Sequence, residues 1–244
     1  MIVEPSVELL AHTVINDDVV AELMDIQPQS TDAETLVTFA GRSCYESWHR
    51  PRPETYHDKD YIDRTIFEQQ HGSILEHATA TLYFTGVSRA FLTELTRHRH
   101  LSFSVRSQRF VDEAGANIVM PPAIRDMGEN PAKGTSVFDL VTGKEIAHGI
   151  VKDTYEMAEE FYGSLAEILI DEGATRKQAR EAARAVLPSM TETKMVVTAN
   201  LRGWLEVINR RTAPDADAEL QEVMGMARDV LQPLAPSIFG RDSN

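Results

Sequence analysis

Five arginines (Arg89, Arg97, Arg99, Arg106 and Arg109) fall within residues 89–110 against a single acid, Glu94. The stretch is basic inside a chain whose formal net charge is −14. Ser102, Ser104 and Ser107 are interleaved with the last of these arginines. Guanidinium forks give paired hydrogen bonds to phosphate oxygens, and hydroxyls and backbone amides add further donors. The mixture therefore predicts a focused pocket for a small anion. Arg176, Arg180 and Arg184 recur on one helical face, and Arg202, Arg210 and Arg211 form a third group. The competing expectation is that these arginines pair with the surplus carboxylates on solvated faces. It weighs more for 176–184, where helix ion pairs are common, than for Arg97–Arg109.

Other chemistries find less support. Neither G-x-G-x-x-G nor G-x-x-x-x-G-K-[ST] occurs, so no Rossmann loop or P-loop is expected, and H-E-x-x-H and G-x-S-x-G are also absent. His98 and His100, with His71 and His77, offer imidazoles to a metal, but the neighbouring arginines repel a cation, so no metal site is expected. His77 is instead assigned a structural place at a strand edge. Cys44 is the only cysteine. An intrachain disulfide and a cysteine-based zinc site are thus excluded, and Cys44 reads as a small buried hydrophobe rather than a nucleophile.

The 244 residues, 42% hydrophobic and 25% charged, are ordinary for a soluble globular chain with a sizeable core. The acidic balance argues against a nucleic-acid binder, whose affinity rests on neutralising phosphates. MIVEPSVELL lacks the basic start and long apolar stretch of a signal peptide, and no apolar run is long enough for a bilayer, which predicts a cytoplasmic protein.

The elements that must position the arginines are readable in outline. A strand is expected within 1–15, a helix over 32–47 and a polar, proline-rich loop from Pro51 to Asp60. A helix over 60–71 stopped by Gly72 follows. Alternation through Ala78, Ala80, Leu82 and Phe84 marks a strand that Gly86 ends, and Ser88 is the expected N-cap of a helix reaching about His100. A short strand at 117–120 precedes a loop containing Gly128, Pro131 and Gly134. Helices are expected at 147–171 and from Thr175 to Leu187, where Pro188 stops the second. A strand at Lys194–Thr198 and helices over 202–212 and 216–232 complete the chain. Without regular βαβ alternation, the class is α+β: helix-rich, with a central mixed or antiparallel sheet, in a single catalytic domain, 1–244.

The run from Arg97 to Phe110, R-H-R-H-L-S-F-S-V-R-S-Q-R-F, resembles the signature of the flavin-dependent thymidylate synthases. Three other stretches are similar to family motifs: His71-Gly72-Ser73-Ile74-Leu75-Glu76-His77, then Ala183-Arg184-Ala185-Val186-Leu187-Pro188, then Asn200-Leu201-Arg202 with Arg211. The resemblance runs from about Ala40 to Leu220. It implies reductive methylation of dUMP to dTMP, with 5,10-methylenetetrahydrofolate as carbon donor, FAD as cofactor and NADPH as reductant. It also implies a homotetramer with active sites shared between subunits.

Carried over, Glu94, Leu95, Thr96, Arg97, Arg106, Ser107, Gln108, Arg109 and Arg184 are expected to hold dUMP, with Ser107 and Arg109 near its phosphate. Arg97, His98, Arg99, Ser73, Val105, Asn200, Leu201, Arg202 and Glu206 are expected to contact FAD. Arg211, which also binds dUMP, matches the arginine that favours ionisation of uracil N3. Ser107 and His71, the latter close to the flavin, complete the expected catalytic set. Val105 stands where relatives commonly carry Glu or Gln, Pro214-Asp215 where a His is usual, and Glu206 where an amide or imidazole is expected. These departures keep open a retired or redirected nucleotide- and flavin-binding relative, or a flavin-dependent methyltransferase acting on another uridine nucleotide.

Overall fold

The computed structural model describes residues 1–24, 30–50, 52–129 and 141–241. In chain order it has β1 (Ile2–Val3), β2 (Ser6–His12), α1 (Asp17–Met24), α2 (Asp32–Ser43), α3 (Asp58–Ile62), β3 (Thr79–Ser88) and α4 (Arg89–Leu95). Then come β4 (Ser102–Val105), β5 (Ile118–Val119), α5 (Pro122–Arg125), α6 (Gly143–Asp171) and α7 (Arg176–Ala183). The described chain closes with β6 (Glu192–Asn200), α8 (Leu201–Arg211), α9 (Ala218–Leu231) and α10 (Pro236–Phe239). Four strands form a sheet in the order β2-β3-β6-β4, while β1 pairs in parallel with β5, Ile2 opposite Ile118. The class is α+β, as the irregular element order predicts. Among the described residues no helix is long and apolar enough to cross a membrane.

The chain divides into two compact units. One comprises Met1–Ser6, Phe84–Arg97 and Ser104–Met195; the other comprises Val7–Tyr83, His98–Phe103 and Val196–Asn244.

In the first unit, α6 is opened by a capping box in which Thr142 and Glu145 satisfy each other's backbone donors. Its Tyr155 and Tyr162 are buried, and Tyr155 donates its hydroxyl proton to the Ala116 carbonyl. Burial pushes the Tyr155 hydroxyl up to about 12 from an ordinary 10.0, with Glu159 and Glu113 adding to the rise and Arg106 opposing it. The unfolded chain therefore loses this proton first, and stability falls as pH rises through the window between the two values. Tyr155→Phe is expected to flatten that alkaline loss in denaturation midpoints measured on either side of about pH 10. An alkaline loss equal to that of the parent protein would contradict the assignment.

In the second unit, Trp204 of α8 is fully buried and its indole N–H donates to the Ala80 carbonyl of β3 at 3.0 Å. The C-terminal segment is tied to α2 by the Ser237 N–H, which donates to Glu34 at 2.6 Å, and by the Thr31 hydroxyl, which donates to the Leu234 carbonyl at 2.6 Å.

Several boundaries differ from the sequence expectation. The first strand is two, β1 and β2, separated by Glu4-Pro5. Gly86 does not end β3, which runs on to Ser88. Its φ is +63°, and a Cβ there would lie 2.0 Å from the Glu4 carbonyl oxygen, so the glycine marks a close backbone approach rather than a stop. Ser88 does cap α4, accepting from the Phe91 N–H at 3.0 Å, but the helix closes at Leu95. The Arg97 N–H bonds back to the Glu94 carbonyl, tightening the last turn, and β4, which was not anticipated, follows. The expected 51–60 loop contains α3's start, and the expected 60–71 helix becomes α3 followed by a π-helical turn, Asp63–Glu68. Gly72 opens a 3₁₀ turn, Gly72–Glu76, and His77 is its exposed C-cap rather than a strand-edge residue. Of the expected 128–134 loop, Pro131 and Gly134 lie outside the described residues, as does Pro51.

Candidate functional site

In the first unit the arginines separate into two kinds. Glu113 is completely buried; its carboxylate stands 3.4 Å from Arg106 and 4.0 Å from Arg89. Burial raises the Glu113 pKa, and the attraction of Arg106 and Arg89 offsets part of that rise. Burial likewise lowers that of Arg89; Glu113 opposes the shift, whereas the repulsion of Arg106 and Arg184 reinforces it. Arg180 pairs with Asp112 at 2.7 Å, and Arg109 lies 3.4 Å from Glu181 at a half-exposed position. The expected pairing with carboxylates on solvated faces holds for Arg180 and Arg109, whereas Arg89 and Arg106 meet a buried carboxylate instead. Arg97 and Arg184 differ: both are exposed, and neither makes an ion pair among the described residues. Arg106 and Arg184 both repel Arg89, and a cluster of guanidiniums of this kind suits an oxyanion.

Ser107 starts a tight turn in which its carbonyl accepts from the Val111 N–H at 2.9 Å, presenting Ser107, Gln108 and Arg109 at half-exposed positions. The Arg106 N–H is spent on the Lys194 carbonyl, and Val105 is half-buried at the end of β4. Glu94 and Thr96 are exposed at the end of α4, whereas Leu95 is buried in the core, so any ligand contact it makes must come from its backbone.

The second unit holds the other group. Arg211, in the last turn of α8, donates from Nε to Nε2 of His98 at 2.8 Å. Two residues 113 positions apart in sequence thus meet, with the His98 lone pair on Nε2 fixing the guanidinium. Asn200 caps α8 by accepting from the Gly203 N–H at 2.8 Å, while Leu201 is buried and its N–H donates to the Ala78 carbonyl. Arg202 pairs with Glu76 at a half-exposed position. A groove of about 280 Å³ is lined by Glu76, His100, Asn200, Arg202, Gly203 and Glu206. Ser73 and Arg99 are exposed, and Arg99 makes no ion pair among the described residues. His71 lies instead on the wall of a second cavity of about 440 Å³. Asp215 is exposed.

Cys44 corrects the sequence expectation. It is exposed rather than buried, at the C-cap of α2, with its thiol directed at the Ala40 carbonyl 3.4 Å away. Its place just past the last helical residue, Ser43, leaves it off the packed face. Glu113 was missed in the sequence because it follows Asp112 in irregular chain, where no periodicity or spacing marks a buried counterion.

A family described as "Thymidylate synthase complementing protein" matches residues 26–237. A "Probable flavin-dependent thymidylate synthase" of Mycobacterium phage D29 is 42% identical over 235 residues, covering 96% of this chain and 94% of that protein. The "Flavin-dependent thymidylate synthase" of Mycobacteroides abscessus is 44% identical over 214 residues, covering 86% and 81%. Among solved structures, a UMP/dUMP methylase, PolB of Streptomyces cacaoi bound with 5-Br dUMP, aligns with a TM-score of 0.68 at 23% identity over 97% of this chain and 93% of that one. Thymidylate Synthase X of Helicobacter pylori, with FAD and dUMP, aligns with a TM-score of 0.59 at 19% identity over 96% and 99%. At these identities the two structures establish the shared fold.

Proposed function

The chain belongs to the flavin-dependent thymidylate synthase family and is an enzyme of that type, and from this premise we propose that it converts dUMP to dTMP with 5,10-methylenetetrahydrofolate as carbon donor. FAD would supply the reducing chemistry, renewed by NADPH. The observation that carries the reading is the Arg211–His98 hydrogen bond, which seats an arginine from the end of α8 on the Arg-His-Arg signature.

FAD fits the chemistry of the second unit's groove. Arg202, Asn200 and His100 offer polar atoms there beside the carboxylates of Glu76 and Glu206, and Gly203 presents no side chain. Asn200, Arg202 and Glu206, with Ser73, Arg97, His98, Arg99, the Leu201 backbone and Val105, are assigned to hold the cofactor. The dUMP phosphate is assigned to Ser107 and Arg109, with Arg97, Arg106, Arg184, Gln108 and the chain from Glu94 to Thr96 completing the nucleotide's ligands.

The uracil ring must become electron-rich at C5 before it attacks the one-carbon unit. A fixed guanidinium beside the pyrimidine amide stabilises the negative charge left when N3 loses its proton, so Arg211 activates the ring without a covalent bond. Cys44 has no part in this scheme. Cys44→Ala is expected to keep turnover within about twofold, as is usual for a surface substitution; abolished turnover with FAD and dUMP still bound would argue for a covalent route.

The homotetramer is part of the same proposal. It is supported by exposed Ile150, Met157, Phe161 and Ile168, which recur along α6 in steps of seven and four and leave an apolar strip facing solvent in the single chain. The whole chain, 1–244, would act as one catalytic domain, located in the cytoplasm and contributing residues to several active sites. The test is dTMP formation by purified protein under low oxygen, omitting dUMP, methylenetetrahydrofolate, FAD or NADPH in turn. Product that needs every component supports the proposal. No product from a protein that binds flavin and dUMP favours a retired relative, and methylation of UMP in a parallel assay favours a redirected one.

A further inference from the structure

The 440 Å³ cavity in the second unit is walled by Arg42, Arg52 and Arg64, by Tyr45 and Tyr61, and by His71. No carboxylate lines it. Arg42 is buried, with its guanidinium carbon 4.5 Å from the centre of the Tyr61 ring. Its Nη1 donates to the Ser47 carbonyl at 3.1 Å and its Nη2 to the Thr55 carbonyl, while its buried Nε has no hydrogen-bond partner. Arg64 is half-buried and Arg52 exposed, and neither makes an ion pair among the described residues. In a chain of net charge −14, where Arg50, Arg202 and Arg241 of the same unit all have acidic partners, Arg52 and Arg64 face one space without an ion pair among the described residues, beside a buried Arg42 on which the repulsion of Arg50 outweighs the attraction of Asp58, and this calls for an anion.

The backbone points to the same place. Among the described residues three non-glycine residues have positive φ: Glu46 at 48°, Arg50 at 47° and Gln70 at 58°. Glu46 lies between the lining residues Tyr45 and Ser47, Gln70 lies between Gln69 and His71, and Arg50 belongs to the same loop as Ser47 and Arg52. Arg64 is carried on the π-helical turn. Left-handed non-glycine residues and π-helical turns are costly locally and gather at ligand sites.

We propose that this cavity is a subsite for the oxyanion-bearing tail of a co-substrate. The inference rests on the proposed function. Under that reading dUMP and FAD have residues assigned elsewhere, whereas NADPH and methylenetetrahydrofolate have none. Each carries a reactive heterocycle at one end and anionic groups at the other, a 2′-phosphate or glutamate carboxylates. His71, which the family resemblance places near the flavin, lines the same cavity as Arg64 and Arg52, and under the proposal the ligand's heterocycle lies at His71 and its anions at the two arginines. Both oxyanions match a guanidinium fork, and the tyrosines offer flat walls to the connecting chain.

The test uses full-length, FAD-loaded protein as parent, Arg52→Gln, Arg64→Gln and the double variant, with Arg42 left intact because it braces the loop. Binding is measured for mono- and triglutamyl methylenetetrahydrofolate, and flavin reduction is followed with NADPH and with NADH. The double variant is expected to weaken one co-substrate by roughly tenfold or more, with flavin content and dUMP affinity unchanged. A loss confined to NADPH, with NADH unaffected, identifies the 2′-phosphate as the anion. A loss that also erases any preference for triglutamate identifies the folate tail. Unaltered constants for both co-substrates in a parent that makes dTMP overturn the subsite and leave the proposed function standing. An arginine-dependent loss of binding in a parent that makes no dTMP does the reverse.

Discussion

Arg211→Ala is expected to lower kcat about 100- to 1,000-fold, the usual cost of removing one preorganised donor from developing charge, while dUMP affinity changes by less than tenfold. The asymmetry follows from where Arg211 stands. Its Nε donates to His98, so the guanidinium is held before substrate arrives and pays little reorganisation when negative charge appears on the pyrimidine. The phosphate, which dominates nucleotide affinity, is assigned to other arginines. Arg211→Lys keeps the charge but loses the planar fork and the Nε–H, and is expected to recover only part of the rate. Rates and dUMP dissociation constants measured in parallel decide the point. A normal kcat in Arg211→Ala removes the arginine from the chemistry, and a loss that lies entirely in dUMP affinity makes it a binding residue.

Glu113→Ala is the substitution with the largest expected effect on stability. The carboxylate is completely buried between Arg89 and Arg106, whose side chains are 20% and 19% exposed. Removing one member of a buried pair leaves uncompensated charge at a cost of about 3–5 kcal/mol; partial hydration of the two arginines places this case near the lower end, about 3 kcal/mol. The site has a second consequence. Without Glu113, the repulsion of Arg89 by Arg106 and Arg184 loses its main opposing charge, so the Arg106 guanidinium shifts and dUMP binding weakens. Urea denaturation gives the first effect and dUMP titration of the folded variant the second. Unchanged stability would mean that the desolvation of Glu113 already cancels its attraction to the arginines, the other limit of a buried ion pair.

How much of this was legible depends on the range of the interaction concerned. Ser88 as N-cap, the alternation into β3 and the stop at Pro188 are settled by neighbours within a few residues, and all are read correctly from sequence. Gly86 was misread because its role is set by the Glu4 carbonyl, more than eighty residues away. The end of α4 at Leu95 carries no proline or glycine to announce it, and the π-helical turn at 63–68 has no compositional mark. Cys44 was misjudged because average burial says little about a residue at a helix end.

The family is legible in motifs whose residue types and spacing need no fold to be recognised, and the α+β class in local periodicity and capping. The sequence also locates the arginine clusters. Which carboxylate each arginine faces is settled only in the folded chain, because a charge partner is chosen by distance in space: Asp112 for Arg180 and Glu113 for Arg106. The tertiary structure likewise decided that Arg211 meets His98, and that Arg42, Arg52 and Arg64 share a cavity free of carboxylates. Helical and strand periods record which face of an element is apolar; they hold no record of which distant side chain packing will bring against a given guanidinium, and ligand sites are made of those meetings.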